Sequence, residues 1–362
     1  MTARPVMIMA GGTGGHVYPA LAVARALEAE SQPVFWLGTH RGLEARIVPA
    51  SGIEIEWVSV KGLRRKGFVA LIAAPLQLAW AVLQSLNVIR RRRPAAVLGM
   101  GGFVSGPGGL AAWLTRRPLI IHEQNATAGL TNRLLARLAR VVLQAFPGSF
   151  NSRVRAETVG NPVRPEIAAI EPPSSRYRDR SGPLRLLVLG GSQGALALNR
   201  LVPAALARLP ADNRPSVRHQ CGERTRSTAE AAYAGSGIDV ELVDFIEDMA
   251  AAYTWADAVV CRAGALTVAE ICAAGLPAVF VPYPAAVDDH QTANARALTE
   301  SGAALTVQER DIDEVSLAAL LGEFLDSREA LAQRAERARQ QAAPDALATI
   351  TAYCMQAAGG AG

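Results

Sequence analysis

The sequence contains few aromatic residues and few cysteines. Phe, Trp and Tyr make up 5% of its 362 residues, although 50% of the residues are hydrophobic. The apolar residues are therefore mostly aliphatic, which is typical of an α/β protein. The 4 cysteines never occur in a C-x-x-C spacing. This argues against a disulfide framework and against a thiolate metal site, and it favours a reducing cytoplasm.

Two common nucleotide-binding fingerprints are also absent. A short apolar strand, Pro5 to Ala10, runs into A-G-G-T-G-G-H-V-Y-P-A, and a helix is predicted from about Pro19. Gly12 and Gly14 match G-x-G, but Val17 holds the third position, and no Gly-Lys-Ser/Thr follows. No acidic residue follows the next strand, so NAD is disfavoured. A strand, a glycine loop and a helix still present main-chain amides to an oxygen-rich ligand.

The charge is unevenly distributed along the chain. The net charge of +5 is the sum of +12 over residues 1–163 and −7 over the remainder. A basic half can face nucleic acid or an anionic membrane surface. Because no nucleic-acid module with interleaved aromatic residues is present, we expect a membrane surface and no nucleic acid.

The most apolar segment, residues 69–89, approaches the roughly 20 residues that a membrane span requires. Pro75, Gln77, Gln84 and Asn87 interrupt it and argue against spanning. Basic residues flank it at 64–66 and 90–93. Two interpretations stay open, a core helix with solvated ends and an interfacial patch among lipid headgroups.

Short apolar strands alternate with helices through the first half, at 95–98, 119–121 and 141–144. This pattern predicts a parallel sheet with helices on both faces. Two loops follow these strands, G-M-G-G-F-V-S-G-P-G-G at 99–109 and H-E-Q-N at 122–125. Since ligands bind at the carboxyl ends of such strands, both loops are predicted to share one edge with the first glycine loop.

The same pattern begins again after G-N-P-V-R at 160–164. A Pro-, Ser- and Arg-rich junction leads to a strand at 184–189, then G-G-S-Q-G-A at 190–195 and a helix at 196–209. We therefore predict two Rossmann-like α/β domains, residues 1–163 and 164–343, whose parallel sheets face a cleft. A helix over 344–357 is predicted to pack back on the first domain.

The stretch 262–295 is the most informative part of the second half. A strand ends at Cys261, Gly264 makes a tight turn, and a helix is predicted over Ala265–Ala274. The unpaired amides of its first turn suit an anionic or hydroxyl-rich ligand, and Glu270 is placed to accept hydrogen bonds from a vicinal diol. A plain αβ unit with a capping Glu remains the alternative. The only Asp-x-Asp, Asp311 and Asp313, is read as a helix cap.

Six motifs in order resemble the bacterial MurG family of two-domain GT-B glycosyltransferases, over nearly the whole chain. They are the first glycine loop, the loop at 99–109, H-E-Q-N-A-T-A-G-L-T-N-R, G-N-P-V-R, G-G-S-Q-G-A, and R-A-G-A-L-T-V-A-E followed by D-D-H-Q.

This resemblance implies an inverting hexosyltransferase. It would move N-acetylglucosamine from UDP-GlcNAc to the C4 hydroxyl of the muramyl sugar in undecaprenyl-pyrophosphoryl-MurNAc-pentapeptide (lipid I), giving lipid II for peptidoglycan synthesis. It further implies a peripheral protein on the cytoplasmic face of the bacterial inner membrane. No cofactor and no metal are expected, since amides near Ser192 and the Arg164 side chain would stabilise the leaving pyrophosphate.

The resemblance also assigns residues. Glu270 would bind the ribose hydroxyls, Gln291 the sugar hydroxyls and Ile246 the uracil edge. The sugar and acceptor side would use Thr13, Gly14, Gly15 and Asn125. The donor side would use Arg164, Ser192, Ile246, Ala265, Leu266, Thr267, Val268, Ala269, Glu270 and Gln291.

Two candidates for the general base stay open. His16 follows the first glycine loop, and an ordinary imidazole titrates near pH 6.5; its alternative is a structural hydrogen bond. Glu123 is the other candidate, and its alternative is a strand-end carboxylate bonded to main chain. Rival functions are a UDP-GlcNAc 2-epimerase of the same fold and a membrane-docked nucleotide-sugar sensor, with a Rossmann oxidoreductase third.

Overall fold

The computed structural model describes residues 3–59, 68–191, 195–284 and 289–360. The chain divides into two compact units. The first unit is Met1–Val163 together with Asp345–Gly362, and the second unit is Arg164–Pro344.

The first unit is built on one parallel sheet. Its strands are β1 (Val6–Met9), β2 (Val34–Gly38), β3 (Ile55–Trp57), β4 (Ala96–Gly99), β5 (Leu119–Glu123), β6 (Val141–Gln144) and β7 (Glu157–Thr158). Its helices are α1 (Gly14–Ala29), α2 (Glu44–Ala50), α3 (Phe68–Arg92), α4 (Ser105–Leu114) and α5 (Leu130–Leu135). The strand order is β3-β2-β1-β4-β5-β6-β7. The carboxyl ends of β1, β4 and β5 are therefore neighbours.

Helices cover both faces of this sheet, as the continuous apolar strands predict. Along β1, Val6 and Ile8 pack into one buried cluster and Met7 and Met9 into another on the opposite face. The first cluster includes Ile350 of the C-terminal helix, which spans Ala346–Gly359 and contacts α1 and β4.

The predicted start of α1 at about Pro19 is wrong. The helix begins at Gly14, after Thr13 in an extended conformation, and Pro19 lies inside it. The sequence pattern placed the start at proline because proline is favoured in a first helical turn. Val17 and Ala20, both fully buried, anchor the earlier turn in the core, so tertiary packing outweighs that local preference.

The second unit holds a second parallel sheet, of order β10-β9-β8-β11-β12-β13. Its strands are β8 (Arg185–Leu189), β9 (Ser216–Gln220), β10 (Val240–Val243), β11 (Ala258–Cys261), β12 (Ala278–Phe280) and β13 (Ala304–Thr306). Its helices are α6 (Pro165–Ala168), α7 (Pro173–Arg176), α8 (Leu196–Ala207), α9 (Arg226–Tyr233), α10 (Met249–Trp255), α11 (Ala265–Ala274), α12 (His290–Glu300), α13 (Glu314–Phe324) and α14 (Arg328–Gln340). The C-terminal helix, α15 (Ala346–Gly359), belongs to the first unit. The two all-parallel sheets confirm the predicted α/β class.

Helix α11 has the predicted bounds, and its end shows why. Gly275 follows it in the left-handed region at φ 59°. A Cβ built there would lie 2.7 Å from Pro173 Cγ, so glycine is required for both backbone and space. The predicted cap is also confirmed, since the Asp313 side chain accepts hydrogen bonds from the amides of Val315 and Ser316.

Candidate active site

Three predicted loops meet at the carboxyl edge of the first sheet. His16 lies in the first turn of α1, and its Nδ1 is 2.9 Å from Oε1 of Gln124, the residue after β5. A Cβ at Gly101 would lie 2.7 Å from the same Nδ1, and a Cβ at Gly102 would lie 2.3 Å from the Gly11 carbonyl oxygen. Both glycines have positive φ. The loops can pack this closely only with glycine, and the prediction that they share one edge is confirmed.

The buried carboxylate of Glu123 organises the H-E-Q-N loop. Oε1 accepts hydrogen bonds from the main-chain and side-chain amides of Asn125, at 3.0 and 3.2 Å. Oε2 accepts from the Gly129 amide at 3.1 Å and from Asn132 Nδ2 at 2.9 Å. Glu123 is 2% exposed, and four donors occupy its two oxygens. The Glu123 side chain therefore holds its own loop together through these hydrogen bonds.

The predicted sugar-side residues lie on these same loops. Thr13 precedes α1 and is exposed, Gly14 and Gly15 open the helix, and Asn125 is half-buried. A further residue, Glu44, supports the first loop without having been predicted. It is buried, and its carboxylate accepts hydrogen bonds from the Gly12 amide at 2.9 Å and the Thr39 hydroxyl at 2.7 Å. One carboxylate thereby satisfies polar groups of two loops.

Sequence reasoning also missed the buried partners of His16. Gln124 and His122 are almost fully buried, and Gln124 Nε2 lies 3.0 Å from His122 Nδ1. His122 Nε2 lies 2.9 Å from the carbonyl oxygen of Gly160, and Asn161 Nδ2 donates to the Gln124 carbonyl. Burial lowers the pKa of His122 to about 4, so its ring is neutral near pH 7.

The second unit places Glu270 and Arg164 together. Glu270, 5% exposed on α11, accepts a hydrogen bond from Arg164 at 3.0 Å and from the buried hydroxyl of Tyr253 at 3.1 Å. Burial raises the pKa of Glu270, while the Arg164 cation and the two hydrogen bonds oppose that rise. Tyr253 on α10 was not predicted, and an aromatic residue on a helix carries no local signal for this contact.

The other described donor-side residues lie on α11, on α12 and in the segment after β10. Gly264 precedes the helix and offers no side-chain cap to the first turn. Ala265 and Val268 are buried, and Leu266, Thr267 and Ala269 are half-buried. Gln291 on α12 accepts a hydrogen bond from the Tyr283 amide at 2.9 Å, and Ile246 is half-buried in the segment after β10. Ser192 and Asp288 lie outside the described residues.

Comparisons with known proteins match both units. The glycosyltransferase family 28 N-terminal domain matches residues 6–144, and the glycosyltransferase family 28 C-terminal domain matches residues 185–350. The crystal structure of Acinetobacter baumannii MurG superposes with a TM-score of 0.85 at 40% identity, covering 98% of this chain and 99% of that one. This match confirms the predicted GT-B fold.

Full-length relatives agree. A protein of Alkalilimnicola ehrlichii is 58% identical over 98% of this chain and 99% of its own length. A protein of Marinobacter nauticus is 50% identical over 99% of this chain and 98% of its own length. Both are named UDP-N-acetylglucosamine--N-acetylmuramyl-(pentapeptide) pyrophosphoryl-undecaprenol N-acetylglucosamine transferase. With identity of this level along its whole length, this chain belongs to the MurG family of family 28 glycosyltransferases.

Proposed function

We propose that this protein transfers N-acetylglucosamine from UDP-GlcNAc to the C4 hydroxyl of the muramyl sugar of lipid I, giving lipid II and UDP. The observation that carries this proposal is the 58% identity, over 98% of the chain, to a relative named for that transfer. The 2-epimerase and the sensor have no comparable support.

The transfer is a single displacement with inversion. The acceptor O4 forms a bond to the anomeric carbon of the donor while the bond from that carbon to the β-phosphate oxygen breaks. UDP leaves with the bonding electron pair, and the hydroxyl proton passes to a base. The positive charge of Arg164 and main-chain amides would stabilise the charge that develops on the pyrophosphate.

His16 is the better of the two candidate bases. Its Nδ1 is engaged with Gln124, and within the described part of the chain no hydrogen bond involves its Nε2. The Glu123 carboxylate instead receives four hydrogen bonds from its own loop. A base must have a lone pair within reach of the proton it accepts, so we assign the proton transfer to His16 and loop organisation to Glu123.

On the donor side, Glu270 would accept hydrogen bonds from the ribose hydroxyls. A carboxylate offers about four lone-pair positions, and Arg164 and Tyr253 occupy two of them. The remaining positions suit a vicinal diol. Gln291 and Ile246 would contact the sugar and the uracil, with Thr13, Gly14, Gly15 and Asn125 on the acceptor side.

The test is a set of incubations with purified protein. UDP release that requires both UDP-GlcNAc and a lipid I analogue, with a β-linked disaccharide product, is the expected result. Formation of UDP-N-acetylmannosamine from the donor alone would instead indicate an epimerase. Donor binding without UDP release when the acceptor is added would indicate a sensor.

We propose further that the first unit docks on the cytoplasmic face of the inner membrane as a peripheral protein. Exposed apolar side chains occur on α3 and on α4, which contact each other; Leu76 is 75%, Trp80 58% and Trp113 49% exposed. Burying such groups contributes about 1.5–3 kcal/mol each at most. Arg90 and Arg93 are exposed at the end of α3. The predicted basic residues 64–66 lie outside the described residues.

Across the described ranges, the structure contains no helix long and apolar enough to cross a bilayer. The docking proposal is tested by flotation with phosphatidylglycerol vesicles at low and high salt. We expect binding that salt weakens but does not abolish, and its loss in the double variant Leu76→Ser, Trp80→Ser. The matched control is Val315→Ser, which changes a 56% exposed apolar residue of the second unit. Absence of wild-type binding at both salt concentrations would reject the proposal.

A further inference from the structure

A chain of hydrogen bonds runs from His16 into the interior of the first unit. It joins His16 Nδ1 to Gln124 Oε1 at 2.9 Å, Gln124 Nε2 to His122 Nδ1 at 3.0 Å, and His122 Nε2 to the Gly160 carbonyl oxygen at 2.9 Å. Gln124 is 1% exposed and His122 is fully buried, so water does not substitute for these partners.

The direction of each bond follows from its inner end. A carbonyl oxygen only accepts, so His122 Nε2 carries the hydrogen that meets Gly160. The neutral His122 ring then has its lone pair on Nδ1, which accepts from the Gln124 amide nitrogen. The reverse orientation of the Gln124 amide would place its oxygen 3.2 Å from the main-chain oxygen of His122, where two acceptors would repel each other. Gln124 Oε1 therefore faces His16.

His16 must complete this pattern as a donor. Because Gln124 Oε1 only accepts, His16 Nδ1 carries a hydrogen, and the lone pair of the neutral ring lies on Nε2. We propose that Gln124 and His122 are positioning residues that hold His16 in its Nδ1–H tautomer and so keep Nε2 ready to accept a proton.

The same arrangement accommodates the proton after transfer. A proton from the acceptor hydroxyl would bind at Nε2, and the resulting imidazolium would still donate from Nδ1 to Gln124 without rearrangement. This use of the tautomer rests on the proposed function, whereas the tautomer itself does not. Gly101 adds a steric constraint, because its missing side chain leaves the space beside Nδ1 that the ring requires.

The tautomer is measurable on the protein alone. The chain has 5 histidines, so ¹⁵N-histidine labelling gives few signals, and loss of one set in His16→Gln assigns His16. In the neutral ring, wild type is expected to show a protonated Nδ1 and an unprotonated Nε2. A protonated Nε2 in wild type would overturn the proposal, whatever the transfer activity.

Two variants separate positioning from folding. Gln124→Met removes the acceptor at similar volume and is expected to shift His16 toward the Nε2–H tautomer. It should also lower kcat at least tenfold, while the KM for UDP-GlcNAc changes less than twofold. Gln124→Glu keeps an oxygen for Nδ1–H and is expected to retain the wild-type tautomer, with a lower melting temperature because its second oxygen replaces the donor that faces His122. Thermal melting checks that each variant is folded, and an unchanged spectrum in folded Gln124→Met would contradict the proposal.

Discussion

Replacing Tyr253 with Phe isolates one hydrogen bond at the proposed ribose site. The Tyr253 hydroxyl lies 3.1 Å from Glu270 Oε2, and both side chains are buried. A hydrogen bond to a charged group contributes about 1.5–3 kcal/mol. Phe fills the same space, and Arg164 still pairs with the carboxylate at 3.0 Å. We therefore expect the free energy of unfolding of the second unit to fall by about 1–2 kcal/mol.

The same change should weaken donor binding. Without the hydroxyl, Glu270 loses one of the groups that orient it, and the pKa of this carboxyl rises further, so less of it is ionised. A loss of about 1 kcal/mol corresponds to a roughly fivefold higher Kd for UDP-GlcNAc. Calorimetric titration with UDP-GlcNAc measures this effect, and kcat with saturating donor should change little.

Tyr233→Phe is the matched control. Tyr233 is also a buried tyrosine of the second unit, but its hydroxyl bonds His219 Nδ1 at 3.0 Å. The Tyr233→Phe substitution should lower the free energy of unfolding by about 1 kcal/mol and leave the Kd for UDP-GlcNAc unchanged. If the two variants weakened donor binding equally, or if neither did, the orienting role of Tyr253 would be refuted.

Three further outcomes are expected. His16→Ala should lower kcat on the order of 100-fold with less than a twofold change in the Kd for UDP-GlcNAc, measured by coupled UDP release and by calorimetry; an unchanged kcat would remove His16 from the mechanism. Burial raises the pKa of Glu270, so this carboxylate takes up a proton at a higher pH than an ordinary carboxyl does. As the pH falls, the affinity for UDP-GlcNAc should therefore begin to weaken at that higher pH. Glu270→Gln should abolish this pH dependence of the Kd, and a pH dependence that persisted in the variant would assign it to another group. Ile350→Ala leaves a cavity at a fully buried position between α15 and the first sheet. It should lower the free energy of unfolding of the first unit, measured by chemical denaturation, by about 2–5 kcal/mol. A decrease below about 0.5 kcal/mol, as expected for a surface substitution, would contradict the packing of α15.

Where local residue preferences agree with the tertiary structure, the sequence was sufficient to predict the secondary structure. Residues 258–275 combine a continuous apolar strand, a Gly turn, a helix of good formers and a Gly stop, so the bounds of α11 were predicted correctly. The continuous apolar strands β1, β4 and β5 likewise required helices on both faces of the first sheet. The short strands β3, β7 and β13 were missed because two or three residues carry no period.

The sequence by itself determined the α/β class, the two glycine-loop openings and the family, since each depends on residues that are close along the chain. Only the tertiary structure decided which side chains form hydrogen bonds with one another. Gln124 links His16 to His122, and Glu123 accepts hydrogen bonds from its own loop. Tyr253 donates to Glu270. The physical reason is that these contacts join side chains whose positions follow from the order of strands in a sheet. His16 and Gln124 are 108 residues apart and meet only because β1, β4 and β5 are neighbours.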